Sequence, residues 1–159
     1  HGGGEEFFVI DGTFSDEAGD YPAGTYVRHP PGSSHRPLSK SGCVLFVKLR
    51  QMHESDVEVV MIRTKEIVFD RIEDGVDEIF LYQNPQTGER VSLLRFEPGR
   101  SRTKQSYAGG AEFFVLEGEF SDENGDYRQG YWLRLPPGSE QQMRSGKGCV
   151  VWSKTGHLS

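Results

Sequence analysis

Two glycine-bounded stretches decide the interpretation of this chain: His1-Gly-Gly-Gly-Glu5-Glu6-Phe-Phe-Val-Ile-Asp-Gly12 and Gly24-Thr-Tyr-Val-Arg-His-Pro30-Pro-Gly32-Ser-Ser-His35. Aromatic and β-branched residues lie between the glycines in both, which is typical of short strands joined by turns. Two histidines and one carboxylate occur at fixed spacing on these predicted strands. Imidazole and carboxylate side chains together suit a divalent transition metal.

The same pattern occurs twice in the chain. Residues 1–48 and 107–154 share 25 identities without a gap, including the glycines and the Pro-Pro-Gly turn. Helical periodicity is scarce, while glycine (20) and proline (8) are frequent, so we predict an all-β sandwich, jelly roll or barrel. We predict two domains, residues 1–66 and 67–159. Residues 67–106 lead into the second repeat, and we expect about 40 equivalent residues to be missing before the first.

Composition limits the classes of partner and location. The formal net charge of −6 argues against direct nucleic-acid binding, which needs a basic surface. No apolar run approaches 18 residues, so we expect no membrane span. No signal peptide is visible, and the chain does not begin with Met, so we take it for a fragment or processed product. Cys43 and Cys149 occupy equivalent positions in the repeats, and we expect two buried thiols, rather than a disulfide, in a cytoplasmic protein.

The candidate metal ligands are His1, Glu5 and His35, and they are confined to the first repeat. The equivalent positions of the second repeat hold Tyr107, Ala111 and Gln141, in the same order. The glycines, the prolines and the Phe-Phe-Val run are kept. Since the scaffold is retained while these polar residues alone are lost, we infer that they do separate work in the first repeat.

Other polar residues are expected to have ordinary surface roles. The carboxylates of Asp16, Glu17 and Asp20 could hold Ca²⁺, but they lack the EF-hand spacing, and we expect a solvated hairpin tip. His29, which becomes Leu135 in the second repeat, could reach the rim of the site but is expected at the surface. We also expect exposed positions for two further histidines, His53 and His157.

The spacing His1-x3-Glu5-x6-Gly12, followed by Gly24-x5-Pro30-x-Gly32-x2-His35, resembles the two motifs of the cupin superfamily. This resemblance implies a double-stranded β-helix, or jelly roll, in tandem. It also implies that His1, Glu5 and His35 bind one metal ion. A further family histidine would lie two residues before His1, and Ser39 replaces the usual asparagine.

The chain resembles a ChrR-like bicupin, because five of its runs look like the ChrR-type cupin domain: Gly3–Val9, Phe14–Glu17, Gly19–Tyr26, Pro30–His35 and Gly42–Gln51. The resemblance implies zinc, with iron, nickel or manganese as alternatives, and a sensing role in an oxidative-stress response. In anti-sigma factors of this type, the domain follows an N-terminal zinc-binding module, which would contact a sigma factor or another regulatory protein. That module is not in this sequence.

Two other interpretations stay open at this point. Similar cupins are acetylacetone-cleaving iron dioxygenases, so the same ligands could serve an enzyme. The other open interpretation is a plain binding or storage cupin, with a small molecule in its barrel. A homodimer also stays open, because the duplication mimics the dimer common among cupins within one chain.

Overall fold

The computed structural model describes residues 1–158, in which the regular structure is β-strand apart from one 3-10 turn, Thr64–Glu66. The all-β prediction is therefore confirmed. The chain divides into two compact units, His1–Ile67 and Val68–Ser159. Within the described residues, no helix has the length and apolar character needed to cross a membrane.

The first unit is a five-stranded antiparallel sheet built around its longest strand, β1, which hydrogen-bonds to β2, β3 and β4. The last strand, β5, pairs with β3. The hairpin turn expected around Asp16, Glu17 and Asp20 is present but short. Strand β1 continues to Asp16, and only two residues separate it from β2. The strands are β1 (Glu5–Asp16), β2 (Gly19–Pro22), β3 (Thr25–His29), β4 (Cys43–Leu49) and β5 (Val60–Arg63).

The second unit repeats this arrangement and extends it. Its long strand β11 pairs with β12, β13 and β16, as β1 does with β2, β3 and β4, and β16 also pairs with β8 of the lead-in segment. The strands are β6 (Asp70–Glu73), β7 (Val76–Gln83), β8 (Arg90–Phe96), β9 (Arg100–Ser101), β10 (Gln105–Tyr107), β11 (Ala111–Ser121), β12 (Asp126–Arg128), β13 (Trp132–Leu135), β14 (Ser139–Gln141), β15 (Arg144–Ser145) and β16 (Cys149–Thr155).

A β-bulge bends the long strand of each unit at the same place. The register of β1 against β4 shifts between Val9 and Asp11, and that of β11 against β16 shifts at the equivalent residues. A bulge bends its strand and increases the local twist. Gly12 follows with a φ of 73°, and a Cβ there would lie 2.3 Å from the Gly42 carbonyl oxygen. Glycine is therefore required where the bent strand passes close to its neighbour.

Each unit has its own apolar core beneath its long strand. In the first unit the core consists of Phe7, Val9, Phe14, Tyr21 and Val27. The core of the second unit is larger, because lead-in strands β7 and β8 contribute Val76, Leu94 and Phe96. Cys43 and Cys149 are both free thiols, as expected, but only Cys149 is buried, while Cys43 is partly exposed. The cores hold the long strands, and thereby fix the side chains at the strand ends.

Candidate metal centre

Glu5 and His29 form the strand-borne part of the site. They lie directly opposite each other at the start of β1 and the end of β3. Opposite residues of an antiparallel pair project from the same face of the sheet. Glu5 Oε2 accordingly lies 3.6 Å from His29 Nδ1.

His1 and His35 reach the same carboxylate from segments outside the strands. His1 precedes a turn, and His35 lies in the irregular segment after the Pro-Pro-Gly turn, so the expectation that strands carry these two residues is wrong. The Gly32 amide donates to the His1 carbonyl oxygen at 2.9 Å, which ties the two segments together. Glu5 Oε2 is 3.5 Å from His1 Nε2 and 3.0 Å from His35 Nε2.

The three predicted ligands are therefore brought together around one oxygen atom. Donor atoms of His1, Glu5 and His35 all lie within 4.8 Å of one another. The side chain of His35 is 9 % exposed, while that of His1 is 24 % exposed. The cluster is thus closed on the His35 side and open to solvent beside His1.

Asp16 fixes the orientation of the His35 ring. Burial raises the pKa of Asp16, but hydrogen bonds from His35, the Ala18 amide and Tyr21 outweigh it, so the pKa is lowered from its usual value. An ionised carboxylate can only accept hydrogen bonds, so His35 Nδ1, 3.1 Å from Asp16 Oδ2, carries the proton. Burial and the bond to Asp16 raise the pKa of Tyr21 to about 12, which keeps its hydroxyl a donor.

The geometry suits a cation between Glu5 and the imidazoles. When Nδ1 alone carries a proton, the lone pair of His35 Nε2 is directed at Glu5 Oε2, 3.0 Å away. Two lone pairs at that distance repel each other unless a ring proton or a metal ion lies between them. Bonds of about 2.0–2.2 Å in a tetrahedral site would set neighbouring ligand atoms about 3.3–3.6 Å apart, which the 3.5 Å separation of His1 Nε2 from Glu5 Oε2 matches. Nitrogen and carboxylate oxygen are donors that zinc, iron, nickel and manganese accept.

The second unit keeps the scaffold but replaces the ligand cluster with a hydrogen-bonded network. Tyr107 donates to Gln141 Oε1 at 3.4 Å, and Gln141 Nε2 donates to Asp122 Oδ2 at 2.7 Å. Asp122 is the counterpart of Asp16. Ala111 and Leu135 are paired as Glu5 and His29 are. Among residues 1–158, the groups of three or more metal-capable side chains occur only in the first unit.

The structure corrects three sequence-based expectations. Asp16 is not part of a solvated hairpin tip, because its side chain is 2 % exposed and contacts His35. His29 is buried rather than at the surface. The ring of His157 is also buried and lies 3.3 Å from a carboxylate oxygen of Glu112. His53 is exposed, as expected.

A protein-family comparison agrees with these observations. The model of the ChrR cupin-like domain matches residues 1–53 and 57–159. The chain belongs to the ChrR cupin-like family. The prediction of a ChrR-like tandem cupin is therefore confirmed.

Solved structures show that this ChrR-like chain shares the cupin fold. A Nostoc punctiforme protein proposed to be a dioxygenase superimposes with a TM-score of 0.75 at 16 % identity, covering 99 % of this chain and 63 % of that one. The structure of Rhodobacter sphaeroides SigE in complex with the anti-sigma ChrR matches with a TM-score of 0.51 at 20 % identity. The match covers 58 % of this chain and 51 % of that one.

A third similar structure is an acetylacetone dioxygenase from Acinetobacter johnsonii, with a TM-score of 0.52, 13 % identity, and coverage of 55 % of this chain and 66 % of that one. The ChrR-like chain thus spans about two thirds or less of the length of each of the three structures. No curated protein sequence matches it significantly.

Proposed function

We propose that the first unit of this ChrR-like bicupin binds one divalent metal ion through His1, Glu5 and His35 and works as a regulatory sensing module. The observation that carries the proposal is the convergence of imidazole nitrogens on Glu5 Oε2. Zinc is the first choice for this nitrogen and oxygen donor set, with iron, nickel or manganese as alternatives. The second unit, which the sequence analysis places at residues 67–159, serves in this proposal as a partner domain without metal.

The ligand residues have distinct tasks in this proposal. Asp16 holds the proton on His35 Nδ1, so that Nε2 is free to bind the ion. Glu5 supplies a negative charge that balances part of the charge of the ion. When bound, the ion supplies a Lewis-acidic centre that a small oxidised molecule could reach.

His1 is the proposed responsive ligand. It is the most exposed of the three, and its backbone is tied to the Pro-Pro-Gly turn through the Gly32 amide. A change at His1 would therefore be passed to the turn that leads to His35. A regulatory protein, such as a sigma factor, would receive the change through a module outside this sequence. The ChrR structure in complex with SigE is the precedent for such a partner.

A dioxygenase that cleaves acetylacetone is the second candidate. The open side of the cluster beside His1 favours it, because a catalytic metal site needs a position for substrate. The described side chains around the cluster include no acid or base beyond the histidines, Glu5 and Asp16. We therefore rank this candidate below the sensing module.

Oxygen consumption separates the two candidates. The Fe²⁺-loaded chain is mixed with acetylacetone, and dissolved oxygen is followed with an electrode. In a parallel sample, an organic hydroperoxide is added, and the two-dimensional NMR spectrum of the Zn²⁺-loaded chain is recorded. The sensing proposal expects no oxygen uptake, together with shifts at residues 30–35. Oxygen uptake that requires acetylacetone and is lost in His35→Ala would contradict it and establish the enzyme.

A further inference from the structure

His29 is a buried histidine that the cupin motif does not assign to the metal. It is the last residue of β3, a strand whose residues are all buried, and it faces Glu5. Its Nδ1 atom is 3.6 Å from Glu5 Oε2, and its ring centre is 4.8 Å from that of His35. The ring is therefore a neighbour of both a carboxylate and an imidazole of the proposed site.

The Nδ1 atom of His29 lacks a hydrogen-bond partner although it is buried. Glu5 Oε2, the atom that it faces, is buried without a hydrogen-bond partner as well. Buried polar atoms in native proteins are almost always satisfied, by protein, water or an ion. Two such atoms aimed at the same space indicate that a further group completes both.

The second unit shows that the scaffold does not need a histidine here. Leu135 occupies the equivalent position, is buried, and lies opposite Ala111. An apolar side chain therefore satisfies the packing at the end of this strand. In the first unit, His29 accompanies the three proposed ligands, and all four are replaced together in the second.

We propose that His29 is a further ligand of the metal ion and binds it through Nδ1. This inference rests on the proposed metal centre and enlarges it to three imidazoles and one carboxylate. His29 joins the proposed centre through Glu5, since its Nδ1 atom approaches Glu5 Oε2 to 3.6 Å. It also belongs to a second group, with Asp16 and His35, whose donor atoms lie within 4.8 Å of one another.

A purely structural role for His29 is the competing explanation. The ring centre of His29 lies 6.0 Å from that of Phe7, so the histidine also packs against the core. A packing role would be fulfilled by leucine, as in the second unit. Replacement of His29 therefore distinguishes the two roles by metal binding and not by stability.

The test uses the full chain loaded with Co²⁺ and compares wild type, His29→Leu, His29→Asn and the control His53→Leu. Each imidazole bound to Co²⁺ gives one strongly shifted N–H proton resonance. We expect one resonance fewer in both His29 variants, and a rise in the Co²⁺ dissociation constant at least as large as the roughly 10- to 100-fold cost of losing an outer-shell contact. His53→Leu should match the wild type, because His53 is exposed and contacts Ser55 instead.

Two results would overturn the inference, and they differ in scope. An unchanged number of shifted resonances and an unchanged affinity in the His29 variants would remove His29 from the ligand set and leave the metal centre intact. A wild-type chain that binds no Co²⁺ would overturn the metal centre and the role of His29 together. Thermal unfolding of the metal-free variants shows whether each one is folded. If His29→Leu does not fold, His29→Asn tests whether His29 binds the metal ion.

Discussion

Glu5 and Asp16 stand at opposite ends of β1, yet both carboxylates contact the ring of His35, at 3.0 Å and 3.1 Å. A straight strand of this length would separate its ends by more than about 30 Å. The bulge at Val9 and the close passage at Gly12 bend the strand so that its ends meet. One strand thus supplies both a proposed metal ligand and the residue that orients another.

The contact between Asp16 and His35 leads to the first prediction. Asp16→Asn removes the charge that holds the proton on Nδ1 and allows the ring to turn. We expect the Zn²⁺ dissociation constant to rise about 10- to 100-fold, the usual effect of losing such a contact. A competition titration with a chromophoric chelator measures it.

Asp122→Asn is the matched control for this variant. Asp122 accepts hydrogen bonds from the amides of Asn124 and Gly125, as Asp16 does from those of Ala18 and Gly19. Both variants therefore disturb an equivalent turn, but only Asp16 contacts a proposed ligand. Equal loss of Zn²⁺ affinity in the two variants would show that the turn, rather than the orientation of His35, controls binding.

The second prediction concerns the buried ion pairs of Arg28 in the first unit. Arg28 is fully buried and lies 3.0 Å from Glu6 and 2.9 Å from Asp56. Arg28→Met would remove the cation that lies between two buried carboxylates, so we expect the free energy of unfolding to fall by about 3–5 kcal/mol. Urea denaturation of the metal-free protein measures the change.

Arg134→Met is the control for the second prediction. Arg134 is the counterpart of Arg28, but its side chain is 53 % exposed and its nearest approach to Glu112 is 3.5 Å. Glu112 is buried, but water reaches the half-exposed guanidinium and His157 lies 3.3 Å from the same carboxyl group, so this variant should lose less stability than Arg28→Met. A similar fall in the free energy of unfolding in both variants would contradict the difference in burial between Arg28 and Arg134.

The third prediction concerns the pH dependence of stability in the second unit. Burial raises the pKa of Glu73. Hydrogen bonds from the Thr103 amide, Arg102 and the Thr103 hydroxyl lower it by more, so the pKa of Glu73 lies below its usual value of 4.5. A carboxylate with a lowered pKa stabilises the folded state above its unfolded-state pKa. That contribution is lost as the pH falls through the folded-state pKa.

Glu73→Gln should therefore reduce the free energy of unfolding by about 1 kcal/mol at pH 7, where the carboxylate accepts charge-assisted hydrogen bonds. The difference from wild type should shrink as the pH falls below about 4. Urea titrations at pH 7, 5 and 3 measure it. A difference that stays constant across this range would show that the charge of Glu73 is not what stabilises the contact.

The fold and the three main candidate ligands were predictable from the sequence because both depend on local spacing. Glycines and prolines mark the turns, and the repeat shows which polar residues are lost while the scaffold is kept. His29 was missed although the same signal applied to it, since Leu135 replaces it in the second unit. We expected it at the surface, with the rim of the site as the alternative, whereas β3 is buried throughout.

Asp16 could not be identified as a contact of His35 by comparing the repeats. It is retained in the second unit as Asp122, so it looked like a turn residue rather than part of the site. The retention has a structural reason, because Asp122 accepts a hydrogen bond from Gln141 as Asp16 does from His35. The contact between Asp16 and His35 depends on the bend in the long strand, and the spacing of residues along the chain does not predict that bend.

The most direct test of the central claim is the metal content of His35→Ala beside that of Gln141→Ala. Each purified protein, comprising residues 1–159, is saturated with Zn²⁺, dialysed, and measured by elemental analysis. The proposal expects about one Zn²⁺ per chain in the wild type and in Gln141→Ala, and almost none in His35→Ala. No metal in the wild type, or equal metal loss in the two variants, would contradict a metal centre confined to the first unit.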